Sequence, residues 1–491
     1  MSNTTPSFKP SLGLLDGTMI VAGSMIGSGI FIVSADITRN VGSAGWLIAV
    51  WVITGLMTLT AALSYGELSG MYPKAGGQYV YLKEAFNPLI GFLYGWSFFT
   101  VIQTATIAAV GVAFAKFAAY LIPALSEDNL LLTIGGKPDA CGKMEYDFAI
   151  NAAQVTSIFI IVLLTFFNTK GVKLGKLIQT VFTSAKLLAL FGLIIFGLIY
   201  GANKGVFGTN WQDAWNAHNL NLKDACNPEA GFFGTPIAGG LLLSALAAAM
   251  VGSVFSSDAW NNVTFIAGEM KNPKRNIGLS LFLGTLIVTV IYVLTNVMYT
   301  SVLPMDQIAF AAKDRVAVAA SQEIFGTAGT VVIALLIMVS TFGCNNGLIL
   351  AGARVYYTMA KDGLFFKQAG TLNQNAVPQW ALWIQCIIAG AWSLSGKYGQ
   401  LLDMISFVAV LFYILTIAGI FILRKKRPDI ERPYKAFGYP VLPIIYILLG
   451  LTFCTLLINY KPLFTWPGLI IVLIGIPVYY IAVSRNKKSV G

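Results

Sequence analysis

Long apolar segments recur along the whole chain, separated by shorter polar ones. Each has roughly 20 residues or more, the length that an α-helix needs to cross a hydrocarbon core of about 30 Å. The twelve runs are 12–37, 44–71, 88–124, 150–168, 175–200, 237–270, 276–302, 328–361, 380–396, 399–423, 438–459 and 464–484. The pattern predicts an all-α integral membrane protein with twelve membrane-spanning helices, numbered below as spans 1 to 12.

Composition supports this fold class. Of the 491 residues, 56% are hydrophobic and 11% are charged, whereas soluble domains have about a quarter charged residues. The first apolar run is not followed by a small-residue cleavage site, so we interpret it as a retained span and not as a signal peptide.

The net charge of +11 is distributed unevenly across the predicted topology. Twelve spans place both termini on one side, and 21 of the 32 Lys and Arg residues lie on that side, nine on the other and two within spans. Such an excess marks cytoplasmic loops. We therefore predict cytoplasmic termini in a cell membrane, with a bacterial inner membrane expected. The sequence shows no cluster of basic residues on one polar face, of the kind that binds nucleic acid.

The five cysteines divide into two groups. Three lie in spans and are interpreted as apolar packing residues: Cys344, Cys386 and Cys454. Cys141 and Cys226 lie in the polar loops 125–149 and 201–236, which the topology places outside, where disulfides persist. We predict a Cys141–Cys226 disulfide, with two separate free thiols as the alternative.

Two spans contain segments that disfavour a helix. Span 1 has Gly23, Gly27 and Gly29 within seven residues, and each glycine weakens a helix by about 1 kcal/mol relative to alanine. In span 6, residues 256–262 are rich in Ser, Asp and Asn, which compete for backbone hydrogen bonds. Unwound backbone is tolerated in a membrane only where it is buried in protein or lines a cavity.

The two breaks lie five spans apart at a similar depth. Matching interruptions in two halves indicate inverted repeats with a binding site between them. We therefore divide the single transporter domain, 1–491, into a first five-helix repeat (12–200), a second (237–423) and two additional helices (438–484). Close helix packing is the alternative explanation for a glycine-rich span.

An unwound segment exposes two kinds of backbone group. The amide N–H groups that start the following half-helix attract an anion, and the carbonyls that end the preceding one suit a cation. An amino acid zwitterion fits both, although other small polar solutes could use one half of the arrangement.

Lys186 lies ten residues after Lys176, about 15 Å deeper along a helix. A charge near the middle of the bilayer is costly and needs a partner in the protein. Two interpretations remain open. Lys186 pairs with Asp258 as a structural bridge, or its ammonium takes the place of a sodium ion and ties span 5 to span 1 and to a span 8 hydroxyl.

The sequence resembles the amino acid–polyamine–organocation superfamily, and within it the L-type amino acid transporter family, including bacterial exchangers of small neutral amino acids. The resemblance covers about residues 12–365. It rests on motifs at 27–31 (Gly-Ser-Gly-Ile-Phe), 63–68, 73–82, 258–262 (Asp-Ala-Trp-Asn-Asn), 271–273, 347 and 351–354. It implies a leucine-transporter-like fold, a five-plus-five inverted repeat with broken helices 1 and 6 plus two C-terminal helices.

The resemblance also implies how a substrate is held. The amides of Ser28 and Gly29 and the Ser28 hydroxyl would bind the carboxylate. Four carbonyls would bind the ammonium: those of Met25, Phe255, Ser256 and Asp258. Many relatives have Ala-Tyr before the aspartate, where this chain has Ser256-Ser257, which makes the pocket more polar.

Four further roles follow from the resemblance. Phe255 would be an aromatic lid on the external side, and Asn261 would line the side-chain pocket. Lys186 matches the span 5 lysine that stands in for a sodium site. Ser340 is its expected partner on span 8, with Thr341 as the alternative.

Enzyme and channel functions fit the sequence poorly. The one histidine, His218, lies in an external loop, and no metal-ligand cluster, phosphate loop or activated nucleophile is visible. We therefore expect no cofactor and no metal. A channel would need a continuous polar pore lining, whereas the polar residues gather at the two breaks.

We therefore expect a secondary transporter that exchanges neutral L-amino acids without sodium. Proton-coupled symport, with Lys186 or Asp258 titrating, is the alternative mechanism. No obligate protein partner is predicted. In animal relatives a cysteine in the loop after span 3 links to a glycoprotein, and Cys141 lies in that loop, but its neighbouring residues do not match.

Overall fold

The computed structural model describes residues 10–139, 141, 144–224, 231–395 and 398–488. The helices are α1 (Leu14–Met25), α2 (Gly29–Ile32), α3 (Ser34–Val41), α4 (Ala44–Met71), α5 (Gln78–Ala85), α6 (Pro88–Ser97), α7 (Gln103–Leu121), α8 (Ala152–Thr169), α9 (Val172–Ala202), α10 (Val206–Gln212), α11 (Gly239–Ser256), α12 (Asn262–Phe265), α13 (Pro273–Val302), α14 (Met305–Ala309), α15 (Val316–Lys361), α16 (Gln379–Ser395), α17 (Tyr398–Lys426), α18 (Val441–Tyr460) and α19 (Pro462–Lys488).

The twelve predicted spans are confirmed as helices. Eleven helical segments of the described chain are long and apolar enough to cross a membrane, and α16, with 17 residues, forms the twelfth. Spans 1, 3 and 6 are each built from several pieces: α1 to α3, α6 with α7, and α11 with α12. The other spans are α4, α8, α9, α13, α15, α16, α17, α18 and α19 in chain order.

Two spans depart from a plain α-helix at single points. A π-helical turn, Phe98–Ile102, joins α6 to α7, and the Thr100 carbonyl accepts a hydrogen bond from the Trp392 indole at 2.7 Å. Such turns leave backbone groups free for other partners. In α15, Gly326 has φ 67° and separates an outer helix from the predicted span.

The long polar loops contain short antiparallel strands that the hydropathy pattern does not reveal. They are β1 (Leu130–Ile134) with β4 (Phe148–Asn151), β2 (Lys137–Pro138) with β3 (Met144–Glu145), and β5 (His218–Leu222) with β6 (Phe232–Pro236). Cys226 lies outside the described residues, so the Cys141–Cys226 disulfide stays a prediction.

Small residues allow the central spans to pack closely. The Cα atom of Gly66 on α4 lies 3.5 Å from where a Cβ of Gly278 on α13 would be. An added Cβ on Gly55 would lie 2.2 Å from the Thr289 methyl group. Spans 2 and 7 thus meet along their lengths through glycine, as small residues permit in membrane bundles. Both helices of this pair also pack against the broken spans, α13 against α1 and α4 against α11.

Candidate substrate site

The break in span 1 comprises residues 26–28, between the end of α1 at Met25 and the start of α2 at Gly29. The Gly27 N–H turns back to the Met25 carbonyl at 2.8 Å. In the described part of the chain, the N–H groups of Ser28 and Gly29 donate to no carbonyl. The break therefore presents N–H groups of the kind that bind an anion at a helix start.

Lys186 on α9 reaches the other end of this break. Its Nζ donates to the carbonyls of Gly23 at 2.6 Å and Ile26 at 2.7 Å, and its side chain is fully buried. Hydrogen bonds from a charged donor are roughly twice as strong as neutral ones. The lysine thus ties span 5 to the unwound part of span 1.

Span 8 contacts the same carbonyls. The Ser340 hydroxyl donates to the Ile26 carbonyl at 3.3 Å, and the Cys344 thiol donates to the Ser24 carbonyl at 3.0 Å. The Thr341 hydroxyl bonds within its own helix, to Ile337. Of the two hydroxyls considered, only Ser340 therefore contacts span 1 in the described chain.

The alternative interpretation, a Lys186–Asp258 bridge, is wrong for this structure. Lys186 is engaged by span 1 carbonyls, and the Asp258 carboxylate accepts a short hydrogen bond from Tyr413 on α17. Among the described residues the two charges form no ion pair. Each break thus has its own separate polar anchor.

The break in span 6 lies between the end of α11 at Ser256 and the start of α12 at Asn262. Ala259 has φ 63°, which turns the backbone out of the helical path. The Asn261 amide donates to the Gln78 side chain at 2.9 Å, and the Gln78 amide donates to the Thr416 hydroxyl at 3.0 Å. Asn261 is therefore held by span 10 through the helix that follows span 2.

Tyr292 on α13 connects the two breaks. Its hydroxyl lies 2.9 Å from the Met25 carbonyl and 2.9 Å from the Ser256 carbonyl, two of the groups expected to hold a substrate ammonium. The sequence analysis missed Tyr292 because a tyrosine within an apolar span has no distinguishing pattern around it.

Two aromatic residues cover the breaks on the predicted external side. The Tyr398 hydroxyl, at the start of α17, lies 2.9 Å from the Ser28 hydroxyl. Its ring meets the Phe255 ring edge-on, with centroids 6.1 Å apart, and both side chains are buried. The expected lid residue Phe255 therefore has a partner, Tyr398, that the sequence analysis did not name.

The two broken spans touch each other directly at the carboxylate end of the candidate site. A Cβ added to Gly29 would lie 1.8 Å from the Ser256 hydroxyl oxygen and 2.6 Å from its Cβ. Only glycine is tolerated at position 29 in this arrangement. Gly29 and Ser256 are therefore in direct contact, with no space between them for a bound solute.

A narrow cavity extends from the span 6 break toward spans 3, 8 and 10. The empty volume between its lining atoms is about 310 Å³, open solvent included, and little of it has room for a water molecule. Asp258 and Asn261 line it on one side. The other walls are largely apolar, and the neutral residues there include Ile102, Gln103, Thr106, Leu348 and Ala409.

Within the described chain, no three His, Cys, Asp or Glu side chains come together in a group that could hold a metal ion. Two broken helices, a buried cation at one break and a narrow cavity at the other define a membrane carrier for a small polar solute. This is the architecture of a secondary transporter.

Comparison with known proteins identifies the family. The amino acid permease family matches residues 12–481. The chain is 30% identical to the b(0,+)-type amino acid transporter 1 of Mus musculus over 454 residues, 91% of this chain and 82% of the relative. It is 29% identical to the large neutral amino acids transporter small subunit 2 of Homo sapiens over 483 residues, 98% of this chain and 82% of the relative.

A third relative points the same way. The Asc-type amino acid transporter 1 of Mus musculus is 28% identical over 484 residues, 98% of this chain and 83% of the relative. The chain belongs to the amino acid permease family. It is a multi-pass membrane transporter of amino acids and not an enzyme, and the resemblance stated from its motifs is confirmed.

Proposed function

We propose that this transporter exchanges neutral L-amino acids across the cell membrane without sodium, by alternating access between spans 1 and 6. The observation that supports it most is the position of the Lys186 ammonium. It donates to the carbonyls of Gly23 and Ile26, beside Ser340. A fixed positive charge there takes the place of a sodium ion, so transport needs none.

The two ends of the substrate would bind to the two breaks. The carboxylate would accept from the N–H groups of Ser28 and Gly29 and from the Ser28 hydroxyl. The ammonium would donate to carbonyls of both spans, those of Met25, Phe255, Ser256 and Asp258. This assignment is supported by the free N–H groups at the start of α2 and by the carbonyls of Met25 and Ser256, which converge on one hydroxyl.

The substrate side chain would enter the cavity beside Asn261. Its walls include Ile102, Leu348 and Ala409, with amide and hydroxyl groups between them, and its one acidic group, Asp258, is already bonded to Tyr413. No Lys, Arg or His is among the described residues that line the cavity, so an acidic substrate side chain would find no counter-charge there. Apart from Asp258 the lining is uncharged, which supports neutral amino acids. Phe255 and Tyr398 would form the lid on the external side.

Alternating access would follow from the proposed repeats, 12–200 and 237–423, moving against each other, with 438–484 as accessory helices. The contact of Gly29 with Ser256 supports this, because the site has to open and close around the substrate. Exchange results when this movement is fast only with substrate bound.

The test uses purified protein in liposomes. Labelled neutral amino acid should enter vesicles preloaded with unlabelled amino acid and should hardly enter empty ones, at equal rates with sodium or choline outside. Ser28→Leu, which fills the carboxylate position, should abolish this uptake. Equal uptake into empty vesicles, or dependence on sodium, would contradict the proposal.

One observation favours proton symport as the second candidate. Asp258 is a buried carboxylate at the span 6 break, and in the described chain its side chain bonds to a tyrosine and to no cation. Such a group could carry a proton through the cycle. Uptake into empty vesicles that an acid-outside gradient accelerates would support symport over exchange.

We also infer cytoplasmic termini, a bacterial inner membrane and no obligate protein partner. The charge bias supports the orientation. One relative is named as a small subunit, which describes part of an assembly and counts against a carrier that works alone. Active transport by the single purified chain would support independence, and a requirement for a second polypeptide would contradict it.

A further inference from the structure

The hydroxyl of Tyr292 stands between two carbonyls that belong to different broken helices. It lies 2.9 Å from the Met25 carbonyl at the end of α1 and 2.9 Å from the Ser256 carbonyl at the end of α11. Met25 and Ser256 are both buried. The Met25 carbonyl also accepts from the Gly27 N–H, whereas Tyr292 is the donor that the Ser256 carbonyl has among the described residues. A buried carbonyl without a donor is destabilising, so the empty carrier gains by filling this position.

One hydroxyl cannot donate a full hydrogen bond to both the Met25 and the Ser256 carbonyl. A tyrosine hydroxyl has a single proton to donate, whereas two carbonyls accept it. A substrate ammonium has three protons and a full charge, and its hydrogen bonds to carbonyls are stronger. The ammonium is therefore the better donor for the same pair of acceptors.

We propose that Tyr292 occupies the ammonium position of the substrate site while the carrier is empty, and that an amino acid binds by displacing its hydroxyl. The inference rests on the proposed zwitterion site and adds to it a positioning residue that competes with the substrate. The hydroxyl holds spans 1 and 6 together without a substrate, consistent with the contact of Gly29 with Ser256.

The displaced hydroxyl has a partner available nearby. The Tyr292 ring packs edge-on against Trp51 of span 2, with centroids 5.1 Å apart. The Trp51 indole N–H is buried and has no hydrogen-bond partner among the described residues. A hydroxyl that turns toward the indole would accept this hydrogen bond. On displacement, Tyr292 would therefore exchange the two carbonyls for the Trp51 indole N–H.

The test is Tyr292→Phe in purified full-length protein, measured as substrate affinity and melting temperature with and without a neutral amino acid. The variant should melt at a lower temperature when empty, because the Ser256 carbonyl loses its donor and the Met25 carbonyl keeps only the Gly27 N–H. Bound substrate restores that donor, so its stabilising effect should exceed the wild-type one by roughly 2 °C. The Kd should fall about threefold to tenfold, because substrate no longer competes with a hydroxyl.

Tyr299→Phe is the matched control. Tyr299 lies two turns further along α13, is buried, and donates to the span 1 carbonyl of Ile30 at 3.2 Å. Its removal should lower the melting temperature of the empty and the substrate-bound protein equally, and it should leave Kd unchanged.

Two results for Tyr292→Phe would overturn the proposal. An equal loss of stability with and without substrate, at unchanged Kd, would show a purely structural bridge. A higher Kd would show that the hydroxyl binds the substrate directly. If the variant does not fold, Trp51→Phe decides. It keeps the ring but removes the indole N–H, so Kd should rise about threefold, and an unchanged Kd would refute the displacement.

These outcomes are separate from those of the proposed function. If wild-type protein binds no amino acid, the zwitterion site itself is wrong. If wild-type protein binds and exchanges amino acids but Tyr292→Phe behaves like Tyr299→Phe, the displacement alone is wrong.

Discussion

The breaks in spans 1 and 6 are both unwound helices, yet they are stabilised differently. The carbonyls of the span 1 break receive side-chain donors from three other spans: Lys186, Tyr292, Ser340 and Cys344. The span 6 break uses its own polar side chains, Asp258 and Asn261, to reach Tyr413 and Gln78. The backbone of the span 1 break is held by side chains of other spans. The span 6 break instead places its own side chains, Asp258 and Asn261, in the lining of a cavity.

This difference indicates that the two breaks bind different parts of the substrate. Backbone groups are the same whatever the side chain. In the proposed site the span 1 break therefore suits the α-carboxylate and, together with the span 6 carbonyls, the α-ammonium that all amino acids share. Asp258 and Asn261 at the span 6 break face a cavity lined by side chains of other spans, so this break suits the variable part of the substrate. Damage to span 1 contacts should then stop transport, whereas changes at span 6 should alter preference or rate.

The largest effect is expected for Lys186→Ala. The change removes two charge-assisted hydrogen bonds, each worth about 1.5–3 kcal/mol, and leaves the Gly23 and Ile26 carbonyls without this donor. Exchange in liposomes should fall about 100-fold. Lys116→Ala, at the other lysine within a span, should change it less than about twofold. Normal exchange by Lys186→Ala would show that span 1 needs no fixed charge.

The next largest effect is expected for Gly29→Ala. Its Cβ would lie 1.8 Å from the Ser256 hydroxyl oxygen, so spans 1 and 6 could not close and exchange should fall at least about tenfold. Adding Ser256→Gly removes the opposing side chain and should restore part of the rate. A fully active Gly29→Ala protein would mean that the contact is not part of the cycle.

A moderate effect is expected for Asp258→Asn. The amide keeps the shape but weakens the bond to Tyr413, so exchange should fall about tenfold. Tyr413→Phe, which removes the same bond from the other side, should cause a similar loss. Under exchange, neither variant changes the response to a proton gradient. Gradient-driven uptake by the wild type that disappears only in Asp258→Asn would instead support symport.

The smallest effect is expected for Asn261→Ala, which should change selectivity more than rate. The substitution enlarges the cavity and removes an amide held by Gln78. Competition by larger neutral amino acids should improve about threefold to tenfold relative to small ones. Thr416→Val, which disturbs Gln78 without enlarging the cavity, is the control. An unchanged competition profile would place the side-chain pocket elsewhere.

Much of the architecture was predictable because the bilayer imposes it. Apolar runs of membrane length predicted all twelve spans, and glycine in span 1 with Ser, Asp and Asn in span 6 predicted both breaks. Local helix-breaking chemistry is visible in sequence. The strands of the long polar loops were missed, because exposed two-stranded ribbons have neither a buried face nor a clear apolar alternation.

The sequence by itself determined the class of protein, the number and order of spans, the positions of the breaks and the need of Lys186 for a polar partner. These properties depend on residues that are neighbours in the chain or on the cost of polar groups in lipid. Only the tertiary structure decided which partners meet. It placed Lys186 on span 1 carbonyls and not on Asp258, and it brought Tyr398 to Ser28 across 370 residues. Such pairings depend on helix packing, and no local pattern in the sequence records them.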